Sequence, residues 1–230
     1  GRTPTDEAQR RVVSGEAWAE FCDTLKSAGA AVLAAGAPED ALSQAEGYRY
    51  LSRLARVGLE SFVECADPCA PKLVALANGS RDARVCIGAD SPDNLYLNGT
   101  ISSKYSYRLI GQRGTVHYLG LSTNAGSYGK PGGLSTVCYK EVSELEVGAD
   151  GSLDVLICTK ENRGSTMQGN WLELLEDPVP HQLIVRQTFL NRGKEQAATL
   201  RLERVGQPTL PALASPEQLI SGLETTGLFV

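Results

Sequence analysis

Apolar residues recur at helical steps through the first third of the chain. Trp18, Phe21, Cys22, Leu25, Ala28 and Val32 fall three and four apart, on one stripe of an amphipathic helix. Ser14 is placed to cap its start, and Gly29 or Gly36 marks its end. Pro38 then stands where a helix takes its first residue, with Glu39 and Asp40 in the first turn. Ala41, Ala45, Tyr48, Ser52, Ala55, Leu59 and Phe62 share a face, which Leu51 and Leu54 widen. A second, longer helix is predicted from Pro38 to Phe62, buried on more than one side.

After Pro68 and Pro71 the period falls to two. Tyr105, Tyr107 and Leu109 face one way, and Ser106, Arg108 and Ile110 the other. Gly111-Gln-Arg-Gly114 reads as a turn and Thr115–Leu121 as the return strand, which predicts a hairpin with Arg108 nearly opposite His117. Further strands are expected at Thr136–Lys140, Leu145–Val147, Leu153–Cys158, Leu183–Phe189 and Ala198–Val205. Asp150-Gly151 supplies the tight turn before one of them. Ser215-Pro-Glu-Gln218 is a capping box that opens a C-terminal helix. The expected fold is α+β and mainly β: an antiparallel, jelly-roll-like β-sandwich with two N-terminal helices packed on it and a C-terminal helix. Residues 1–71 form the helical segment, 72–210 the sandwich and 211–230 the start of a C-terminal helical segment. The apolar ending Gly227–Val230 reads as a chain that continues.

Composition narrows the function classes. The 230 residues are 42 % hydrophobic and 21 % charged, enough for a sizeable core. A net charge of −5 argues against gripping nucleic acid or an anionic membrane. No apolar run reaches the roughly 18 residues of a membrane span. The polar start Gly1–Arg10 lacks the apolar region of a signal peptide, so the cytoplasm is favoured with the compartment left open. Six cysteines are too sparse for a disulfide scaffold, although Cys65 and Cys69, four apart, are the pair most open to a local bridge. With only His117 and His181 besides, no zinc centre is expected. No P-loop, nucleophile elbow, dinucleotide fingerprint or His-Glu-x-x-His occurs, so no cofactor is expected.

The most unusual segment is Gly88-Ala-Asp-Ser-Pro-Asp-Asn-Leu-Tyr96. It is either an Asx-rich turn or a device that points Asp90 or Asp93 into a pocket as general base, charge partner or oxygen ligand. Arg108 on an apolar-leaning strand needs a partner, for which Asp90, Asp93 or a bound anion could serve. His117 alternates with Leu119 and Leu121 and shares their face, as a structural or an acid/base group. Trp171 in Gly169-Asn-Trp-Leu172 seals the core or lines a pocket. Arg186, in step with Ile184 and Thr188, is a second inward-facing charge. The loop from Gly126 to Gly133, with four glycines, forms a rim.

The parts come in a particular order. Ala17-Trp18 and Phe21-Cys22-Asp23 are followed by Glu46-Gly-Tyr-Arg-Tyr-Leu51, Ala89-Asp-Ser-Pro-Asp-Asn94 with Tyr96, and Tyr107-Arg108-Leu-Ile-Gly-Gln-Arg-Gly114. Asp150-Gly151, Gly169-Asn-Trp171, Val185-Arg-Gln187 and Leu202-Glu-Arg204 complete it. From Ala17 to Val205 this resembles the bacterial DUF1214/DUF1254-type superfamily of domains of unknown function. The resemblance implies β-sandwich or jelly-roll-like sheets with accompanying helices, on longer chains than this one. It also implies a pocket location for Asp90, Asp93, Tyr96, Arg108 and Arg186. Ser91 departs from the frequent Asn of the first loop but leaves both carboxylates.

Two functions are therefore expected in competition. One is a cofactor-free hydrolase, lyase or isomerase acting on a small organic metabolite. Asp93 or Asp90 would be its acid/base and His117 would tune them, with Tyr96, Arg108, Trp171 and Arg186 binding substrate. The alternative is a non-catalytic β-sandwich module that binds carbohydrate or protein through Tyr96, Tyr105, Tyr107, Tyr118, Tyr128 and Tyr139. The expected partners are a small-molecule ligand and either a second copy or a second fragment of the same polypeptide.

Overall fold

The computed structural model describes residues 3–78, 87, 90–128, 132–164, 168–176, 179–206 and 214–230. Cys86, Gly88, Ala89, Gly129 of the glycine-rich loop and the expected boundary at 210/211 lie outside them. Three helices come first, α1 (Pro4–Val13), α2 (Glu16–Ala31) and α3 (Ala41–Leu59), with a π-helical turn at Glu60–Glu64. The strands that follow are β1 (Val74–Asn78), β2 (Asn94–Ser102), β3 (Tyr107–Gln112), β4 (Tyr118–Gly126), β5 (Leu134–Glu141), β6 (Ser152–Thr159), β7 (Trp171–Leu174), β8 (Pro180–Thr188) and β9 (Thr199–Arg204). One-turn α4 (Lys160–Arg163) follows β6, and α5 (Pro216–Phe229) comes last. The fold is α+β and mainly β, a two-sheet sandwich with N-terminal helices and a C-terminal helix. No helix of the described residues is long and apolar enough to cross a membrane.

The chain divides into two compact units, Gly1–Glu64 with Leu213–Val230, and Cys65–Ala212. In the first, helix α1 was not foreseen. Its sequence is polar and buries only Ala8, but Thr3 and Asp6 exchange capping bonds and Pro4 opens the first turn. Ser14 consequently ends α1 instead of starting α2, and Gly15 makes the joint at φ 77°, where a side chain would be strained. The expected stripe of α2 holds at Phe21, Leu25, Ala28 and Val32, which are buried or half-buried, but Trp18 and Cys22 are exposed and Ala17 takes an inward place. α3 starts at Ala41, not Pro38, because the Asp40 carboxylate accepts from the Ser43 N–H at 2.9 Å. α5 packs with α1, α2 and α3. Gly58 and Gly222 permit that approach, since a Cβ on Gly58 would lie 2.7 Å from Thr226 Cγ2 and one on Gly222 would lie 2.3 Å from the Phe62 carbonyl oxygen. Phe62 and Phe229 meet edge to face at 5.5 Å. The C-terminal helix thus belongs to the same unit as the N-terminal ones.

In the second unit, one sheet has the order β1-β2-β8-β4-β5 and is antiparallel throughout. The other has the order β7-β6-β3-β9. Its β6–β7 pair is parallel, which corrects the all-antiparallel expectation. A parallel pair needs a crossover, and α4 opens it. The expected hairpin also fails. β3 lies in the four-stranded sheet and β4 in the five-stranded one, so Arg113–His117 carries the chain across the sandwich. The crossing is held by Arg113 N–H to Gly151 O at 2.9 Å and Thr115 N–H to Gln196 O at 2.9 Å, with Val116 buried. Local alternation is the same for a hairpin and for a sheet-to-sheet connection, so periodicity alone could not separate them.

Between the sheets lie Tyr107, Leu109, Leu119, Leu121, Val155, Ile157, Leu183 and Val185, all fully buried. Three polar side chains share this interior with partners. Thr123 donates to the Glu173 carbonyl oxygen at 2.5 Å, tying β4 to β7. Gln187 spans the backbone N–H and C=O of Ala198. His181, fully buried, accepts the Leu175 N–H at Nε2 (3.2 Å) and lies 2.8 Å from the Val179 carbonyl through Nδ1. That pair of contacts selects the neutral ring with its proton on Nδ1, and burial holds its pKa below the ordinary histidine value. The unfolded chain therefore takes up a proton near pH 6.5 that the native state refuses. Stability is expected to fall as pH drops below about 6.5, by up to about 1.4 kcal/mol per pH unit. Urea midpoints measured from pH 8 to 5 check this, and His181→Ala should flatten that limb. An unchanged limb would contradict the assignment.

Candidate functional site

Alternation along β2, β8 and β4 sends apolar side chains inward and leaves a polar outer face on the five-stranded sheet. Asn94, Tyr96, Asn98 and Thr100 stand on β2. Thr188, Arg186, Ile184 and Gln182 face them in register on β8, and Tyr118, Gly120, Ser122 and Asn124 follow on β4. β5 adds Glu141, opposite Gly120, and Tyr139, opposite Ser122.

At the centre of this face is Arg186, flanked by Tyr96 on β2 and Gly120 on β4. Its guanidinium stacks over the Tyr118 ring, 4.7 Å from the centroid. Gly120 makes the stacking possible, because a Cβ there would lie 2.4 Å from the Tyr118 hydroxyl. The Tyr118 hydroxyl meets the Tyr139 hydroxyl, and Tyr139 donates to Glu141 Oε1 at 3.2 Å. On the other side, Thr188 donates to Asn94 Oδ1 at 2.7 Å, and Asn94 donates to the Tyr96 hydroxyl at 2.8 Å. The Tyr96 oxygen is thus already an acceptor, and its proton is directed elsewhere. Burial acts to lower the Arg186 pKa, but hydrogen bonding and charge interaction with Tyr118, and then Tyr96, raise it above the ordinary arginine value. Farther along β2, Asn98 donates to the Tyr128 hydroxyl at 2.8 Å, and burial raises the pKa of that phenol. The Oδ1 of Asn98 is buried and has no hydrogen-bond partner among the described residues.

The expected site residues do not converge. Tyr96 and Arg186 come together, but Arg186 points outward with Ile184 and Thr188, while His181, Leu183, Val185 and Gln187 take the inward positions. Arg108 lies on the outer face of the other sheet, where its partner is Asp154, with Nε to Oδ1 at 2.9 Å, and not Asp90 or Asp93. This exposed pair explains an arginine on that strand without a ligand. Trp171 is half-buried in β7 of that same sheet. Its Nε1 donates to the Cys158 carbonyl at 3.2 Å, and Arg163 covers its ring at 4.4 Å. His117 is exposed just ahead of β4 and does not share the face of Leu119 and Leu121, since Val116 takes the inward place instead.

Asp90 and Asp93 sit in the turn before β2. Asp90 Oδ1 accepts the N–H of Ile87, three residues earlier, at 3.1 Å, and the Asp93 side chain is exposed. The arginine beside this turn is Arg192, which the sequence reading missed. It donates to the carbonyl oxygens of Pro92, at 3.2 and 2.8 Å, and of Asn94, at 3.0 Å, while stacking on Phe189 at 4.3 Å. Of the six tyrosines expected on a binding face, Tyr96, Tyr118, Tyr128 and Tyr139 belong to the five-stranded sheet or its loop. Tyr107 is core, and Tyr105 accepts from the Cys69 thiol at 3.1 Å. Cys65 and Cys69 are not bridged to each other. Among the described residues no cluster of His, Cys, Asp or Glu could hold a metal ion.

A cleft of about 200 Å³ in the helical unit is lined by Arg11, Ala17, Phe21, Thr24, Ile220 and Leu223, among others. Arg11 is paired there with Glu20 and Glu224. None of the expected site residues lines it.

The chain is similar to a solved bacterial structure. An uncharacterized protein from Burkholderia cenocepacia shares 38 % identity over 96 % of this chain, with a TM-score of 0.83. The chain spans 58 % of the length of that relative. The VPA0106 protein from Vibrio parahaemolyticus matches over 90 % of this chain and 47 % of its own, at 12 % identity and a TM-score of 0.35. No protein-family model matches the chain, and no curated protein does.

Gly120, Asn94 and Asn98 were the site residues that pattern reading passed over. Gly120 carried one available signal, a glycine between Leu119 and Leu121 in a strand, which marks a close approach to that backbone. Gly120→Ala is expected to push the Tyr118 ring off Arg186 while costing about 1 kcal/mol of stability, because the atoms displaced are the outer end of the Tyr118 side chain and not backbone. Tyrosine near-ultraviolet circular dichroism and a urea titration would report the two effects separately. A large stability loss with an unchanged tyrosine signal would contradict this packing.

Proposed function

We propose that this chain binds a small, hydroxyl-bearing polar organic ligand on the outer face of its five-stranded sheet, without transforming it. The observation that carries the reading is the contiguous row of Tyr96, Arg186, Tyr118 and Tyr139 across four neighbouring strands. Phenol rings offer apolar faces to the C–H groups of a sugar-like ligand, and their hydroxyls, with the guanidinium, offer directional bonds at the rim. What favours binding over turnover is the placement of the acid/base residues first considered. Asp90 closes its own turn, and His117 and Asp93 are exposed outside the row.

The test is calorimetric titration with a panel of neutral and acidic monosaccharides and small hydroxy acids. At least one is expected to bind, and Tyr96→Ala and Tyr118→Ala should each weaken it tenfold or more, about 1.4 kcal/mol. Gly120→Ala should weaken it in the same direction by displacing Tyr118. Binding that survives all three changes would place the ligand elsewhere, and consumption of the ligand during titration would replace this reading with an enzymatic one.

A further inference from the structure

Arg186 differs from the paired surface arginines of this chain. Arg10, Arg11, Arg49, Arg56, Arg108 and Arg201 each have a carboxylate within 4.0 Å. Arg186 has none among the described residues, and its neighbours are the phenols of Tyr118 and Tyr96. The nearest acidic position in its row is Glu141, two strands away across Gly120 and roughly 10 Å distant at the usual strand spacing. That carboxylate is occupied by the Tyr139 hydroxyl. The guanidinium is thus held flat against a ring among phenols, with no carboxylate among the described residues to balance its charge. A guanidinium pre-oriented in this way matches a carboxylate through two parallel bonds.

The second observation is independent of that charge. Asn98 is only 5 % exposed, and its Oδ1 has no donor among the described residues, although its Nδ2 is engaged by Tyr128. A buried acceptor left empty is costly, and a hydroxyl is the chemistry that would satisfy it. Asn98 stands opposite Ile184 and is therefore the diagonal neighbour of Arg186 across the β2–β8 pair, about 7–8 Å from it at the usual sheet spacing. A carboxylate docked at one of two diagonal positions and a hydroxyl docked at the other describe a hydroxy acid of about the length of one sugar unit.

Building on the binding reading above, we infer that the ligand is a polyhydroxy carboxylic acid of monosaccharide size, whose carboxylate docks on Arg186 beside Tyr96 and whose distal hydroxyl donates to Asn98 Oδ1. The same chemistry is found in a free aldonic or uronic acid and in an acidic residue of a polysaccharide.

The experiment is calorimetric titration of the chain with D-gluconate, D-glucuronate and D-galacturonate, with D-glucose and D-galactose as neutral counterparts, and with a galacturonate trimer. At least one acid should bind tenfold or more tightly than its counterpart, with an advantage that shrinks as salt rises. Arg186→Gln should bring that acid down to the level of the neutral sugar, and Arg186→Lys should keep part of the difference. Asn98→Ala should weaken acid and neutral sugar alike. Circular dichroism and melting temperature establish that each variant is folded, and the exposure of Arg186 makes that the expected result. Tighter binding of the trimer than the monomer assigns the polysaccharide source, and the reverse assigns the free acid. If neutral sugars bind as well as acids and Arg186→Gln changes nothing, the carboxylate inference falls while the binding reading stands. If no member of the panel binds, both fall.

Discussion

Gly111→Ala is expected to destabilise the sandwich by about 3 kcal/mol or more, the sum of overpacking and backbone strain at one position. Gly111 lies within β3, a central strand of the four-stranded sheet, paired with Leu153 on one side and Leu200 on the other. Its φ of 154° departs from ordinary extended backbone, and a Cβ would lie 1.9 Å from the Thr199 carbonyl oxygen and 3.0 Å from Leu200 Cα. Both of those atoms are backbone, so no rotamer change relieves the clash. β9 must move away, and the ladder that holds it must open. Two tryptophans make the measurement simple. Trp171 reports the sandwich and Trp18 the helical unit, so urea unfolding in a Trp18→Phe background follows the sandwich alone. A loss below about 1 kcal/mol would mean that β3 and β9 do not approach as closely as this register requires.

Gln187→Met is expected to cost about 2–4 kcal/mol with little change in volume. Gln187 is fully buried and works as a clamp. Its Oε1 accepts the Ala198 N–H at 2.6 Å, and its Nε2 donates to the Ala198 carbonyl at 3.4 Å. Ala198 is itself buried and precedes β9, so the clamp joins β8 of one sheet to the start of β9 in the other. Methionine fills the space but strands both backbone groups away from water, and the short N–H bond accounts for most of the loss. The same fluorescence-detected urea titration reads it. A near-neutral Gln187→Met would imply that water reaches Ala198 once the amide is gone.

Both positions show where pattern reading stops. Gln187 alternates with Val185 and Leu183, but the sequence reading turns the face of Arg186 inward instead, and neither the burial of Gln187 nor its partner eleven residues away follows from the strand period alone. Gly111 reads as a turn residue, because glycine favours turns more often than close strand approach. The helical stripes were visible because three- and four-residue steps need only local sequence. That α2 buries Ala17 and leaves Trp18 and Cys22 exposed depends on which neighbours cover it, and those neighbours include α5, nearly two hundred residues later.

The site was divided in the same manner. Tyr96 and Arg186 were picked out from their own segments, and the structure sets them side by side on adjacent strands. Arg108 and Trp171 were picked out by equally good local reasoning and lie on the other sheet, paired and capped. Strand period tells which residues share a face of one strand. It does not tell which strands share a sheet, since the connection from β3 to β4 looks alike whether it turns back or crosses over.

What local sequence settled here is therefore the class of elements: amphipathic helices, a long series of short alternating strands and a capped last helix. Each follows from side-chain spacing, capping chemistry and turn residues acting within a few positions. Strand order, the parallel β6–β7 pair, the union of α5 with the N-terminal helices and the Arg186–Tyr118 stack over Gly120 arose from long-range packing. Burial area and shape complementarity choose among many pairings of equally amphipathic elements, and those terms exist only once the chain has closed on itself.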